Sequence, residues 1–255
     1  MNTELFRSLP VLGMLAALVT SPLAVPWCAA QDSSRLHDAL VYGFEDHINP
    51  EAGTIELWLR PDTDVTQPVE QFYHFFIVRL AIGDKQWGNG GSLGLVWLAD
   101  HGLRTLATVV QDGESQSIRP APGDRDRRLQ WEKGTWHHVA LSWRGIRMRL
   151  YADGKLIEET IMSEPMPLKP PGFIVIGYSY SPIAVDELIV SSIERDAEQI
   201  RQRYASEPTE DEHTLLLDPM ETLDPLHGRA RALKETHVKL IPGKFGNAIQ
   251  LYRDE

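Results

Sequence analysis

Residues 134–155 read GTWHHVALSWRGIRMRLYADGK, and this stretch constrains the fold more than any other. The side chains of Val139, Leu141 and Trp143 share one face of an extended chain, the period-2 pattern of a half-buried strand. The Asp153-Gly154 pair that follows LYA is typical of a two-residue type I′ hairpin turn. The stretch therefore predicts consecutive antiparallel strands.

Similar short strands recur along the chain, at 53–61, 72–82, 93–98 and 106–110, and again after residue 171. Turns rich in Gly, Asn and Asp separate them, and no helix intervenes, which favours an all-β sandwich of two antiparallel sheets. Residues 111–128 are expected to form a long loop. One short C-terminal helix is predicted over 196–204, with Asp196 and Gln199 spaced as a capping box, docking on the sandwich.

The adjacent histidines His137 and His138 raise the question of a metal or catalytic centre. Neighbouring side chains on a strand point to opposite faces, so the two rings cannot close on one ion. We predict that both have structural roles, packing in the sheet with a hydrogen bond to a ring nitrogen.

Composition excludes several classes of function. The formal net charge is −11, which disfavours nucleic acid and anionic lipid as partners. No HExxH helix and no GxSxG elbow occurs, and no pair of carboxylates is placed for sugar hydrolysis. We expect no catalytic residues and a non-enzymatic protein.

The first 30 residues predict an export signal. They carry only Glu4 and Arg7 as charged residues and end in Cys28-Ala29-Ala30, with small residues placed for cleavage before Gln31. Cys28 is the only cysteine, so the mature chain would contain no disulfide and no cysteine metal site. We expect a secreted, cell-surface or periplasmic protein without a membrane span after processing.

Asp186 is the strongest candidate for a metal ligand. In AVDELIVSS, simple alternation places it on the face of Leu188 and Val190, where a carboxylate has to be paired, hydrogen-bonded or bound to a cation. Calcium is the natural ion for such oxygen ligands. The alternatives are a carboxylate that accepts hydrogen bonds from backbone amides, or one exposed at the edge of the strand.

Aromatic residues in two predicted loops are candidates for ligand binding. Trp87 lies at the tip of the Gly-rich loop 83–94, and Tyr178 and Tyr180 lie in GYSYSP. Each ring could stack on a sugar.

Three blocks, GTIELWLRP (53–61), GTWHHVALSW…LYADGK (134–155) and IGYSYSPIAVDELIVSS with the helix after it (176–200), together resemble a laminin-G-like domain. Such domains belong to the concanavalin A-like lectin/glucanase superfamily. The resemblance implies a jelly roll, a structural role for the strand from Trp136 to Trp143 and a structural calcium site involving Asp186. Because the ExDxE motif of the glucanase branch is absent, the resemblance favours a binding module for a glycan or an extracellular protein.

The sequence patterns and the resemblance together suggest a division of the chain. A signal peptide (1–30) would precede the sandwich domain (31–205), which is followed by an acidic linker (206–213). Residues 214–255 resemble the opening strands of such a domain, most clearly in GKFGNAIQL. They would either begin a second unit or fold back to complete the first sandwich.

These observations favour a secreted, non-enzymatic module that binds carbohydrate or protein. The first alternative is a fragment of a glycan-active hydrolase, which would need two carboxylates converging in a groove. The second is a structural spacer within a larger surface protein.

Overall fold

The computed structural model describes residues 40–43, 47–62, 73–80, 92–98, 102–111, 114–118, 131–162, 165, 172–178, 182–223, 229–231 and 238–252. These residues form fifteen strands and one helix. In chain order the elements are β1 (Leu40–Gly43), β2 (Ala52–Pro61), β3 (Tyr73–Leu80), β4 (Ser92–Leu98), β5 (Gly102–Gln111), β6 (Glu114–Ile118), β7 (His137–Arg144), β8 (Arg147–Ala152), β9 (Lys155–Ile161), β10 (Gly172–Tyr178), β11 (Ile183–Ser191), α1 (Ala197–Tyr204), β12 (Thr214–Asp218), β13 (Arg229–Arg231), β14 (Val238–Pro242) and β15 (Asn247–Leu251).

The strands form two antiparallel sheets, as predicted. The seven-stranded sheet has the order β13-β1-β10-β3-β4-β5-β6. The eight-stranded sheet has the order β14-β15-β11-β2-β7-β8-β9, and β12 also pairs with β11. One prediction was wrong: residues 114–118, expected within a loop, form β6 and pair with β5. The sequence of β6, ESQSI, contains a single apolar residue, so it lacks the period-2 apolar pattern that predicts a strand.

Alternation along β2 and β7 builds the core. Ile55, Leu57 and Leu59 of β2 and Val139, Leu141 and Trp143 of β7 all lie in one buried cluster. The opposite face of β2 and β7 carries polar residues, which are also buried. The Asp153-Gly154 turn has positive φ at both positions, 48° and 72°, as a type I′ hairpin requires.

The helix forms where the capping box predicted it. Asp196 is the N-cap and accepts a hydrogen bond from Gln199 N, and the Gln199 side chain accepts one from Asp196 N. Ile200 is fully buried in a small cluster with Ala140 and Tyr151. The helix therefore covers the outer face of the eight-stranded sheet.

The C-terminal segment contributes strands to both sheets. β13 pairs with β1, while β12 and β15 pair with separate halves of β11. Leu216, Ile249 and Leu251 of this segment belong to the main core cluster. The segment from 214 onward thus packs on the sandwich that precedes it.

Candidate functional site

The buried outer face of the eight-stranded sheet, beneath α1, has Trp58 at its centre. Because Trp58 alternates with core residues of β2, its ring points away from the core, yet it is only 2% exposed. Tyr204 of α1 stacks on it at 5.6 Å, and His138 meets it edge-on at 5.4 Å. The Lys244 ammonium lies 4.4 Å from the centre of the ring.

The two histidines serve different faces of the sheet, as predicted. His137 stacks on Trp131 with ring centroids 4.5 Å apart, and its Nδ1 lies 2.9 Å from Asp153 Oδ2. His138 is buried on the other face, where its Nε2 lies 3.3 Å from Glu56 Oε2. Each ring therefore has a structural partner, and the pair forms no joint metal site.

Glu56 is the buried charge at the centre of this outer face. Its side chain is 1% exposed, and its Oε1 lies 3.3 Å from Arg203 Nη1 and 3.9 Å from Arg195 Nε. A buried carboxylate is tolerated only when cationic or polar groups compensate it. Two arginines from the α1 region, together with His138, provide that compensation.

Asp211 completes the network from the acidic segment 206–213. Its carboxylate accepts hydrogen bonds from Nη2 of both Arg195 and Arg203 and from the backbone N of His213. Burial acts to raise the pKa of Asp211, but the hydrogen bonds from Arg195 and His213 outweigh it and lower the pKa to about 2. Asp211 is therefore a carboxylate at every pH near neutrality, and it ties the segment to α1.

A polar pocket opens beside this network, between α1 and residues 206–211. Its volume is about 290 Å³. Guanidinium, amide, hydroxyl and carboxylate groups dominate its lining. The lining residues are Arg195, Gln199, Gln202, Arg203, Ser206, Glu207, Pro208, Thr209 and Asp211. The volume is close to the lower end of the range for small-ligand pockets, roughly 300–1,000 Å³.

Asp186 lies on the outer face and not on the face of Leu188 and Val190, so the predicted alternation was wrong there. A β-bulge interrupts the pairing of β11 with β2 between Asp186 and Ile189, and Glu187 has a φ of 53°. One additional residue reverses which side chains face the core. Asp186 therefore sits opposite Trp58.

The Asp186 carboxylate accepts hydrogen bonds from backbone amides of the β14–β15 turn. Its Oδ2 lies 2.8 Å from Lys244 N and 3.1 Å from Phe245 N. Burial raises the pKa of Asp186 to about 7, although the hydrogen bonds from Phe245 and Lys244 act in the opposite direction. Asp186 therefore binds backbone amides, which is the alternative to calcium that the sequence left open.

The surroundings of Asp186 Oδ2 do not fit a calcium site, whereas Oδ1 is buried without a hydrogen-bond partner among the described residues. A calcium shell takes six to eight oxygen atoms, whereas Oδ2 here faces two N–H donors. Among the described residues, no three His, Asp or Glu side chains are grouped to hold a metal ion. Neighbouring Glu187 is buried, and burial together with the charge of Asp186 raises its pKa to about 8. Calcium binding by the protein stays a prediction.

The predicted aromatic ligand contacts lie largely outside the part of the chain that the structure describes. Trp87 and Tyr180 lie outside the described residues. Tyr178 is the last residue of β10, opposite His74, but its side chain also lies outside the description. Their role as ligand contacts stays a prediction.

Sequence reasoning missed the residues of the outer face, namely Glu56, Trp58, Arg195, Arg203 and Asp211. The available signal was the polar half of the β2 alternation, where Glu56 and Trp58 face away from the core. Their partners lie far along the chain, so spacing alone could not identify them.

A family model described as the concanavalin A-like lectin/glucanases superfamily, of the laminin G type, matches residues 34–201. The chain belongs to this superfamily. The laminin G-like match ends within α1 and leaves the C-terminal strands outside it. No curated protein matches the chain in sequence.

Solved structures similar to this laminin G-like chain include botulinum neurotoxin binding domains. The neurotoxin DC domain in complex with rat synaptotagmin II is 17% identical, with a TM-score of 0.42, covering 61% of this chain and 36% of that one. The same domain in complex with SialylT is 17% identical, with a TM-score of 0.44 and coverage of 61% and 35%. The serotype D domain is 16% identical, with a TM-score of 0.41 and coverage of 61% and 37%. The chain thus spans little more than a third of the length of these structures. Among the described residues, no helix is both long and apolar enough to cross a membrane.

Proposed function

We propose that this chain is a secreted, non-enzymatic binding module of the laminin G-like type, whose ligand is a carbohydrate or an extracellular protein. The observation that carries the proposal is the polar pocket beside α1. It sits on a superfamily sandwich, where rigid strands and a capped helix hold the lining residues in place.

The chemistry of the pocket suits a sugar. Sugar hydroxyls act as donors and acceptors at once, and guanidinium, amide and carboxylate side chains offer complementary groups. Arg195 and Arg203 are already oriented by Asp211, so a ligand that meets them requires little further ordering. This preorganisation favours a carbohydrate ligand at this pocket.

The predicted loop contacts and the export signal belong to the same proposal. Trp87, Tyr178 and Tyr180 would add stacking surface for a glycan, and residues 1–30 would direct the chain out of the cytoplasm. Alanine variants of the three aromatic residues test the first part. N-terminal sequencing of the secreted protein tests the second, with Gln31 expected as the first residue.

A glycan array tests the carbohydrate ligand. Residues 31–255 are applied with calcium and with a chelator, and the expected result is binding to at least one glycan class. Thr209→Trp fills the pocket at an exposed lining residue and should abolish that binding, whereas Lys133→Trp, at an exposed position outside the pocket, should not. Absence of binding in both conditions would count against a glycan ligand.

The same samples distinguish the two alternatives. A glycan-active hydrolase would release reducing sugar from a bound glycan over hours, and a binding module would leave it intact. A structural spacer would bind neither glycans nor extracellular proteins in a pull-down from the medium. Binding without turnover is the outcome expected here.

A further inference from the structure

The turn between β14 and β15 makes an unusually close contact with β11. Asp186 Oδ2 accepts hydrogen bonds from Lys244 N and Phe245 N, and a Cβ on Gly243 would lie 2.6 Å from that same oxygen. A side chain is also excluded at the other end of the turn. Gly246 has a φ of 48°, and a Cβ there would collide with the Glu221 carboxylate.

Glu221 contacts the same turn from the β12 side. Asn247 N lies 3.2 Å from Glu221 Oε1 and 3.1 Å from Oε2. The Asp186 carboxylate thus binds two consecutive N–H groups of a Gly-Lys-Phe-Gly turn, and the Glu221 carboxylate binds the N–H of the residue after it. Consecutive N–H groups form a concave, partly positive surface that suits an anion.

The turn also covers Trp58. Phe245 meets the Trp58 ring edge-on at 6.0 Å, and Lys244 places its ammonium over the ring. Trp58 Nε1 is buried beneath this cover. Docking of the turn therefore completes the aromatic cluster on the outer face.

These contacts are incompatible with a cation at Asp186 Oδ2. Calcium would face the positive ends of two N–H dipoles, and the close approach of Gly243 leaves no space for further ligands on that side. The turn occupies the place where the ion was expected.

We propose that the flank of β11 around Asp186 is a docking site for a hairpin with a Gly-x-x-Gly turn, here supplied by the chain's own residues 238–252. In this role Asp186 is a positioning residue whose Oδ2 binds the backbone of the turn in place of calcium. The two glycines determine which hairpins fit, because any side chain at either position meets a carboxylate. The proposal is independent of the ligand proposed for the pocket.

Hydrogen exchange on residues 31–255 tests the docking role. Asp186→Ala should increase the exchange rates of the Lys244 and Phe245 amides by about tenfold or more, since the carboxyl oxygen that accepts both hydrogen bonds is lost. Amides of β7 should keep their wild-type rates. Gly243→Ala, which leaves Asp186 in place, should give the same local change and covers the case in which Asp186→Ala does not fold. Glu210→Gln, at an exposed acidic position, is the control and should change neither.

Thermal unfolding with millimolar calcium or with a chelator tests whether calcium is excluded from Asp186. The melting temperature of the wild type should be the same in both conditions. A calcium-dependent rise that Asp186→Asn abolishes would overturn the proposal. Unchanged exchange at Lys244 and Phe245 in both Asp186→Ala and Gly243→Ala would overturn it as well.

Discussion

Arg195 Nη2 lies 2.8 Å from Asp211 Oδ1 and 2.6 Å from Asp211 Oδ2. The guanidinium is almost fully buried, whereas the carboxylate is 37% exposed at the edge of the pocket. This pair joins the end of β11 to the acidic segment, and through Arg203 it also orients α1. The network beneath the helix therefore depends on Asp211, which lies in the segment that the sequence alone predicts to be a linker.

Asp211→Asn should destabilise the protein by about 1 kcal/mol at neutral pH, a modest value because the carboxylate is partly exposed to solvent. The folded-state pKa of about 2 lies below the ordinary value of 3.8. The stabilisation is therefore complete above about pH 4 and is lost as the pH falls through about 2. Urea unfolding at pH 6 and near pH 2 measures it. A difference between variant and wild type that persisted at the lower pH would contradict this account.

Glu187→Gln should make the protein more stable at pH 8, by about 2 kcal/mol. Burial raises the folded-state pKa of Glu187 from 4.5 to about 8, so the folded state retains a proton that the unfolded state releases. The wild type consequently loses stability as the pH rises from about 4.5 to about 8. Chemical unfolding at pH 5 and pH 8 should show the gain from Gln mainly at pH 8, and an equal gain at both would refute the titration of Glu187.

Gly53→Ala should destabilise the fold by about 1–3 kcal/mol, because a Cβ at this position would collide with the Trp143 ring in the core. Gly43→Ala is the matched control within β1. Nothing lies within 4 Å of a Cβ on Gly43, and the substitution should be neutral or slightly stabilising. Melting temperatures of the two variants provide the comparison, and equal losses would argue against the Trp143 contact.

Glu56→Ala should destabilise the protein by about 1–3 kcal/mol, since it leaves the buried guanidinium of Arg195 and the partly buried guanidinium of Arg203 with Asp211 as their remaining carboxylate. Glu198→Ala removes an exposed carboxylate of α1 that pairs with Arg201, and its effect should stay below about 1 kcal/mol. Equilibrium unfolding in urea measures both. Similar values for the two variants would show that the buried network contributes little.

Local patterns predicted most of the elements, with β6 as an exception, and were insufficient for the site. Alternation in β7 predicted which face His137 and His138 would take, and the Asp196–Gln199 spacing predicted the helix start, because both depend on neighbours in sequence. Alternation failed at Asp186, since a β-bulge leaves no signal in AVDELIV. The outer-face network was not predictable because Glu56 and Asp211 each meet Arg203 only after the sheet and the helix have assembled.

The division of one β11 edge between β12 and β15 has a mechanical consequence. β15 is held to β11 by three residue pairs, from Ile183↔Leu251 to Val185↔Ile249. A pulling force applied at Tyr252 reaches the Leu251 pair first and the Asp186-bound turn only afterwards. We expect β15 to separate from β11 one residue pair at a time at low force, while β12 stays paired with its own half of β11. The part of the core beneath β12 then bears little of the applied force.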